Sequence, residues 1–74
     1  MDVGLAIRLL RMESRMKQKE LAQRLAISQA QVSDWERNIK LPPMKHFLKL
    51  PEIFKVSIVV TANELFSRKD YQVE

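Results

Sequence analysis

Several residue types that define whole classes of protein are missing or scarce in this sequence. Its 74 residues include no cysteine, which excludes a disulfide framework and a thiolate metal site. No apolar run approaches the ~18 residues of a membrane-spanning helix, and the N-terminus lacks the basic segment and cleavage site of a signal peptide. We therefore expect a soluble intracellular protein with one small domain over residues 1–74.

The residues that are present favour helices and an anionic partner. Glycine occurs once, and leucine, lysine, arginine, glutamine and glutamate are common, which is typical of a helical protein. The net charge is +4, and ten basic residues against four acidic ones lie between Arg8 and Lys49. This uneven charge fits an anionic partner, and the alternative is an ordinary solvated surface.

Apolar spacing and capping residues predict four helices with short connections. The predicted helices are VGLAIRLLRM (residues 3–12), QKELAQRL (18–25), SQAQVSDWERN (28–38) and MKHFLKL (44–50). Ser28 is a favourable N-cap for the third helix, and Pro43 suits the first turn of the fourth. Pro51 is expected to kink or end the fourth helix, because its ring would clash with the carbonyl of Phe47.

Two stretches carry more apolar residues than one core accounts for. In the first helix Ile7 and Leu10 are spaced as the core stripe, whereas Leu5 and Leu9 lie on another face. A helix that is apolar on two sides is usually covered twice. KVSIVVTA (residues 55–62) is rich in β-branched residues and is the best strand candidate, but a lone strand needs a partner to be stable.

The second and third predicted helices are separated by only a few residues. Two short helices joined by a tight turn, with apolar residues facing inward from both, form a helix-turn-helix. The outer face of its second helix can enter the major groove of DNA, where glutamine can pair with adenine and alanine can contact a thymine methyl. The alternative is a polar solvated face in an ordinary bundle. The outer residues are Gln29, Ala30, Gln31, Ser33, Asp34 and Arg37.

The stretches IRLLR, QKELAQRL and ISQAQVSDWER, with the proline before the fourth helix, resemble the lambda/434-repressor-like helix-turn-helix proteins of the Cro/Xre family. The resemblance covers about residues 4–57. It implies a mainly α fold, a small bundle of four to five helices. It also implies that Gln18 binds a phosphate and braces Gln29, which reads a base as the first residue of the recognition helix. Arg11 and Glu36 match a family ion pair that ties the first helix to the third.

Further DNA contacts are implied by the same resemblance. Ala30 and Ser33 match base-facing positions, and the phosphate contacts match Arg37, Lys40 and the backbone near Asn38. Asp34 would repel phosphate, so we expect it to point away, the alternative being acceptance from a cytosine N4. The full set of expected DNA-binding residues is Lys17, Gln18, Ser28, Gln29, Ala30, Gln31, Ser33, Asp34, Arg37, Asn38 and Lys40.

The sequence departs from the family pattern at its helix ends. Family members often carry glycine after each of the first three helices, where this chain has Arg15, Ala26 and Asn38. Asparagine tolerates the left-handed conformation, whereas arginine and alanine adopt it at a cost of roughly 1 kcal/mol each. These turns should therefore survive with strain or altered dihedrals. Lys17 replaces the usual serine or threonine cap of the second helix, and it brings a cation near a phosphate site.

The C-terminal third, FLKLPEIFKVSIVVTA, is similar to HipB-type antitoxins. In those proteins a short strand follows the fourth helix and pairs with its two-fold copy. We expect residues 56–61 to pair in this way. The competing prediction has this run packed within its own monomer, with the dimer formed by a C-terminal helix. The expected dimer interface consists of Val56, Ile58, Val59, Val60, Leu5 and Leu9.

No catalytic or metal-binding constellation is visible. His46 has no neighbouring ligand residues and is expected to lie on the surface or in packing, and Trp35 fits a helix–helix core position. We predict no enzymatic activity, no metal and no cofactor.

The predicted function is sequence-specific binding of double-stranded DNA by a cytoplasmic, nucleoid-associated regulator of prokaryotic or phage type. It is expected to act as a homodimeric repressor on a two-fold operator. The first alternative is an antitoxin-like protein that binds DNA and also a toxin protein. The second is an interaction module, which would have no salt-dependent affinity for DNA.

Overall fold

The computed structural model describes residues 2–55, and this part of the chain is mainly helical with no strand. Four helices lie within residues 2–47, and residues 50–55 form a further helical stretch. The mainly α fold and the first three predicted helices are confirmed. The four helices are α1 (Val3–Glu13), α2 (Gln18–Leu25), α3 (Gln29–Glu36) and α4 (Met44–Phe47).

The first three helices all stop in the same way. Arg15, Ala26 and Asn38 have the left-handed φ values of 55°, 56° and 59°, at the positions where the family pattern often has glycine. In each case the next residue donates its N–H to a carbonyl five residues earlier, which is the Schellman arrangement. The left-handed turns predicted at these positions are confirmed. The three bonds join Met16 to Arg11 (3.0 Å), Ile27 to Ala22 (2.9 Å) and Ile39 to Asp34 (2.9 Å).

The helix starts differ from one another in their capping. Asp2 caps α1, because its Oδ1 accepts from the Leu5 N–H at 2.9 Å. Ser28 and Gln31 form a complete capping box on α3, in which each side chain accepts from the backbone N–H of the other residue. Lys17 precedes α2 in an extended conformation without a side-chain cap. As expected, α2 lacks a side-chain cap, whereas α1 has one and α3 has a complete capping box.

The core lies between α3 and the helices on either side of it, since α3 packs against both α1 and α2. Trp35 is 3% exposed and its ring centroid lies 5.8 Å from that of His46, which is also buried. The prediction of a core tryptophan is confirmed, and of the two placements expected for His46, on the surface or in packing, the structure has the packed one. The buried apolar residues are Ile7, Met16, Leu21, Ala22, Leu25, Val32, Trp35, Leu50 and Phe54.

Helix α1 turns a narrower face to the core than its apolar spacing predicts. Ile7 is buried together with Gly4, but Leu10 is 39% exposed, so its placement in the core stripe is wrong. Because Gly4 allows α3 to approach closely, the buried line of α1 runs through Gly4 and Ile7 and leaves Leu10 at its edge. Leu5 and Leu9 are 48% and 54% exposed, so residues 2–55 leave the second apolar face of α1 accessible.

The fourth helix is shorter than predicted. It ends at Phe47, and a new helical stretch starts at residue 50, with Pro51 in its first turn. Proline fits there because a first-turn N–H needs no intrahelical acceptor. The chain thereby avoids the clash that a continuous helix would create between Pro51 and the Phe47 carbonyl. No helix in the described part of the chain is long and apolar enough to cross a membrane.

The predicted strand at residues 55–62 is wrong at its first position, because Lys55 is helical. Lys55 continues the helical stretch that begins at Leu50, and the β-branched residues follow it in the sequence. The rest of that prediction, including Val56, Ile58, Val59 and Val60, lies outside the described residues.

Candidate nucleic-acid interface

The outer face of α3 is polar and accessible, while its inner face is buried. Val32 and Trp35 lie in the core, so the polar residues between them are turned away from it. At the starts of the two helices, Lys17 and Ser28 are exposed and Gln18 is half-buried. The remaining expected DNA-binding residues are exposed at Gln29, Ala30, Gln31, Arg37, Asn38 and Lys40, and half-buried at Ser33 and Asp34.

Gln18 and Gln29 join the starts of α2 and α3. Gln29 Nε2 donates to Gln18 Oε1 at 3.4 Å, and Gln29 itself is exposed. The contact is one that the family resemblance implies. It restrains a side chain at the exposed start of α3, which would otherwise be free to adopt several rotamers.

The amide group of Gln18 also bonds Glu36, a contact that was not predicted from the sequence. Gln18 Nε2 donates to Glu36 Oε1 at 3.0 Å. The same carboxylate accepts from Arg11, with Nε at 2.6 Å and Nη2 at 3.1 Å, and Arg11 Nη1 donates to the Met16 carbonyl at 2.8 Å. The ion pair that the resemblance implies is thus present, with side chains 12% and 3% exposed for Arg11 and Glu36. A buried carboxylate is tolerated when it is paired and hydrogen-bonded in this way.

Gln31 is engaged within its own helix. Its Oε1 accepts from the Ser28 N–H at 3.0 Å as part of the capping box. An amide oxygen held at the helix start is unavailable to a base edge unless the cap opens. The signal for this role was in the sequence, because serine followed three residues later by glutamine is a capping-box pattern.

Asp34 and Arg37 form an ion pair at the end of α3. Asp34 Oδ1 accepts from Arg37 Nη2 at 3.0 Å, and the side chains are 25% and 62% exposed. Exposed pairs of this kind are worth about 0–1 kcal/mol, so a phosphate could compete for the guanidinium. The pairing nevertheless gives Asp34 a partner that neither of its expected orientations included.

Asn38 has its side chain turned towards the start of α1. Its Oδ1 accepts from the Gly4 N–H at 3.0 Å, and its Nδ2 donates to Asp2 Oδ1 at 2.8 Å. A Cβ at Gly4 would lie 2.5 Å from the Trp35 carbonyl oxygen, so only glycine permits this approach. The DNA contact expected near Asn38 uses the backbone, whereas these bonds use only its side chain. The lone glycine of the chain was the sequence signal for the close contact.

The sequence model of the helix-turn-helix family HTH_3 matches residues 7–60, well over half of the chain. The protein belongs to this helix-turn-helix family. The family is one of DNA-binding proteins, and membership indicates a transcription regulator. The specific similarity to HipB-type antitoxins is not shown by this match. No curated protein and no solved structure matches the chain significantly.

Lys17 and Lys40, at the two ends of the helix-turn-helix, are among the exposed lysines of the protein. Lys17 precedes α2 and Lys40 follows α3, and neither forms an ion pair with any residue from 2 to 55. Cations of this kind can contact phosphates without first losing a protein partner, unlike Arg37. Within the same range no group of three histidine, aspartate or glutamate side chains is arranged to hold a metal ion.

Proposed function

We propose that this helix-turn-helix protein is a transcriptional repressor that binds duplex DNA sequence-specifically, with α3 in the major groove. The observation that carries the proposal is Gln29, which is exposed at the start of α3 and yet held by Gln18 at 3.4 Å. A restrained side chain loses less conformational freedom on binding than a free one. Glutamine offers the donor and acceptor that adenine N7 and N6 require.

The charges at the two ends of the helix-turn-helix support the same proposal. Lys17 and Lys40 are exposed and unpaired in the described part of the chain, and phosphate contacts supply most of the non-specific affinity of a DNA-binding protein. Arg37 would contribute a further contact after exchanging Asp34 for a phosphate. Base contacts by Ala30 and Ser33 would add to the one made by Gln29.

We propose that the protein acts as a homodimer, because one helix-turn-helix reads only a half-site of the operator. The proposed location is the cytoplasm. Leu5 and Leu9 are 48% and 54% exposed on α1, which supports a second apolar surface packing against them. We propose that residues 56–61 of the two copies pair as antiparallel strands and cover it. An isologous contact of this type would hold two α3 helices at a fixed spacing.

Selection from random duplex DNA tests the proposed function directly. The selected sequences should contain two inverted half-sites, with centres about one helical turn apart. Binding to one arbitrary duplex would not suffice, because basic proteins bind any DNA at low salt. If no sequence is enriched over the starting pool, the proposed sequence-specific function is wrong.

Gln29→Ala tests the base contact on the selected operator. We expect a loss of about 1–3 kcal/mol on the operator and a much smaller loss on random DNA, measured by fluorescence anisotropy. Gln23→Ala is the matched control, because Gln23 is an exposed glutamine on α2 away from the helix starts. Equal losses on operator and random DNA would remove Gln29 from base recognition.

Lys40→Gln tests the phosphate contact. The variant should bind all sequences more weakly, and the slope of log K against log salt should fall by about 0.9. Lys45→Gln on α4 is the control, since Lys45 is also exposed but lies outside the expected contact set. An unchanged slope for Lys40→Gln would place this lysine away from DNA.

Ile58→Pro tests strand pairing in the dimer. Proline would remove a donor from the ladder, so we expect a monomer in sedimentation experiments, with helix content largely kept and operator binding much weaker. Ile58→Thr keeps the β-branched shape and the backbone donor and is the control. A dimeric proline variant with normal operator affinity would mean that the dimer forms elsewhere, as the competing C-terminal helix predicts.

The antitoxin-like alternative is a second candidate because of exposed apolar side chains before, on and after α4. Leu41, Met44 and Leu48 are 73%, 68% and 68% exposed, and exposed apolar side chains close together are typical of a surface that binds another protein. A toxin would be encoded by a neighbouring gene. Mixing that gene product with the protein in calorimetric titration decides between the candidates, since only an antitoxin should bind it.

A further inference from the structure

Glu36 is buried behind the proposed recognition surface and does not itself reach it. Its side chain is 3% exposed, and both carboxylate oxygens accept from the Arg11 guanidinium. An ionised carboxylate has only acceptors. The part of the Gln18 amide that faces Glu36 Oε1 at 3.0 Å must therefore be the NH2 group and not the oxygen.

The orientation of the Gln18 amide in turn determines which group of Gln29 it can bond. With its NH2 group bonded to Glu36, the Gln18 amide turns its oxygen towards Gln29, whose Nε2 donates to it at 3.4 Å. One N–H of Gln29 is then used within the protein. The exposed amide is left with one oxygen acceptor and one further N–H donor.

The orientation of the Gln29 amide matters because purines differ in their major-groove edges. Adenine presents the N7 acceptor beside the N6 donor, whereas guanine presents two acceptors, N7 and O6. One acceptor and one donor match adenine. A glutamine that was free to turn over could present both N–H groups to guanine instead.

We infer that Glu36 is a positioning residue for base recognition: it orients Gln18, and through Gln18 it makes Gln29 prefer adenine over guanine. The inference rests on the proposed DNA-binding function. It assigns Glu36 a role beyond its ion pair with Arg11, although Glu36 touches no base. The role is electrostatic and geometric, because it depends on Glu36 offering acceptors only.

Removing the carboxylate together with its partner gives the decisive variant, Arg11→Met/Glu36→Leu. Glu36→Gln would not decide, because an amide oxygen at the Oε1 position could still accept from both Arg11 Nη2 and Gln18 Nε2. The double variant leaves no buried charge unpaired, and leucine offers Gln18 no acceptor. The Gln18 amide is then free to turn over and to bond the Gln29 oxygen, which leaves both N–H groups of Gln29 facing outward.

The test measures base preference at one operator position. Gln29→Ala first identifies the position that Gln29 reads, as the one where preference is lost, and duplexes with adenine or guanine there are then compared. Wild type should prefer adenine roughly tenfold, and Arg11→Met/Glu36→Leu should lose most of that preference. A merely structural Glu36 would weaken both duplexes alike, so an unchanged adenine-to-guanine ratio in a folded variant overturns the inference.

Gln18→Met keeps the Arg11–Glu36 pair and provides a second arm should the double variant fail to fold. Methionine has a similar length but cannot orient Gln29, so the adenine-to-guanine ratio should approach one. A Gln18→Met variant that retains the wild-type ratio would show that Gln29 needs no bracing and would overturn the inference. Thermal melting checks the fold of both variants.

Side-chain amide NMR of the free protein separates failure of the inference from failure of the proposed function. In wild type the Gln18 NH2 protons should show nuclear Overhauser contacts to the Glu36 methylene protons. In Arg11→Met/Glu36→Leu they should show contacts to the Gln29 methylene protons. If wild type enriches no DNA sequence, the proposed function fails while this measurement still decides the orientation. A Gln18 amide that keeps the same neighbours in both proteins overturns the inference.

Discussion

The two ends of α3 are held by very different numbers of contacts. At the C-terminal end Trp35 is buried and Glu36 is paired with Arg11, and the following Asn38 bonds the start of α1. At the N-terminal end Gln29 is exposed, and Gln18 holds it at 3.4 Å. One short helix therefore combines a rigid attachment with an accessible surface, and Glu36 connects the two through Gln18.

This difference suggests that stability and recognition are separable along α3. Substitutions at the attached end should lower the free energy of unfolding. Substitutions of exposed residues outside the Ser28–Gln31 capping box, such as Gln29, should change DNA binding and leave stability nearly unaltered. Variants at the attached end that leave stability unchanged would remove the distinction.

The largest effect is expected for Arg11→Met. Removing one partner of a buried ion pair costs about 3–5 kcal/mol, because the other charge stays buried without compensation. Glu36 would be left in this state, since its side chain is 3% exposed. Urea denaturation should show the loss, which is a large fraction of the about 4–11 kcal/mol of stability that a domain of this size has.

The double variant Arg11→Met/Glu36→Leu is the control for this prediction. With both charges replaced by apolar groups of similar size, most of the lost stability should return. Base preference should not return with it, because Gln18 would have no carboxylate to orient it. A single Arg11→Met variant within about 1 kcal/mol of wild type would contradict the buried-charge argument.

A smaller loss of stability is expected for Gly4→Ala. Alanine favours helices over glycine by about 1 kcal/mol, but its Cβ would lie 2.5 to 2.7 Å from oxygens of Trp35, Glu36 and Asn38. Overpacking against backbone atoms costs about 1–3 kcal/mol, so the net effect should be destabilising.

Arg8→Ala provides the comparison for Gly4→Ala in the same denaturation experiment. Arg8 is exposed on the same helix, so its replacement should change stability by less than about 0.5 kcal/mol. A Gly4→Ala variant that is as stable as wild type, or more so, would mean that α1 and α3 can separate slightly at no cost.

Helix positions were predictable from the sequence because their causes are local. The bounds of α2 and the start of α3 follow from apolar spacing and from the Ser28 cap. The left-handed residues Arg15, Ala26 and Asn38 were predicted from a family pattern rather than from propensity. The proline rule likewise predicted an interruption at Pro51, but α4 already ends at Phe47 and a new helical stretch begins at residue 50.

The contacts of the polar side chains were not predictable in the same way. Gln18 and Glu36 are 18 residues apart in sequence, so only the packing of α2 on α3 brings them together. Asp34 was expected to point away from DNA or to accept from a cytosine N4. Its ion pair with Arg37 was not predicted, because it depends on side-chain rotamers that sequence spacing does not determine. Which polar groups remain available to DNA is therefore a tertiary property.

Replacing the left-handed residues at either end of α3 by glycine should have opposite effects. Ala26 and Asn38 have nearly the same φ, 56° and 59°, so glycine relieves both of them. Ala26→Gly should stabilise by about 0.5–1 kcal/mol, since the relief exceeds the entropic cost of glycine. Asn38→Gly should instead cost about 1–2 kcal/mol, because it removes the side-chain bonds to Gly4 and Asp2.

Ala26→Gly and Asn38→Gly can be compared directly, because both introduce glycine at a residue with nearly the same left-handed φ. Thermal denaturation of the two variants under one condition gives the sign directly. If Asn38→Gly stabilises as much as Ala26→Gly does, the bonds from Asn38 to the start of α1 contribute nothing, and the attached end of α3 depends on the buried residues alone.

The smallest effect concerns pH at the attached end. The Leu5 backbone N–H and the Asn38 side chain both donate to Asp2, and these bonds lower the pKa of its carboxyl below the ordinary value of 3.8. A carboxylate with a lowered folded-state pKa stabilises the fold at pH values above its unfolded pKa, and this contribution disappears as the pH falls through the folded pKa. Asp2→Asn keeps an acceptor but cannot titrate. Wild type should therefore melt slightly higher than Asp2→Asn near neutral pH, and the difference should shrink below pH 3.8. A difference that stays constant with pH would mean that the charge of Asp2 does not contribute to holding α1 against α3.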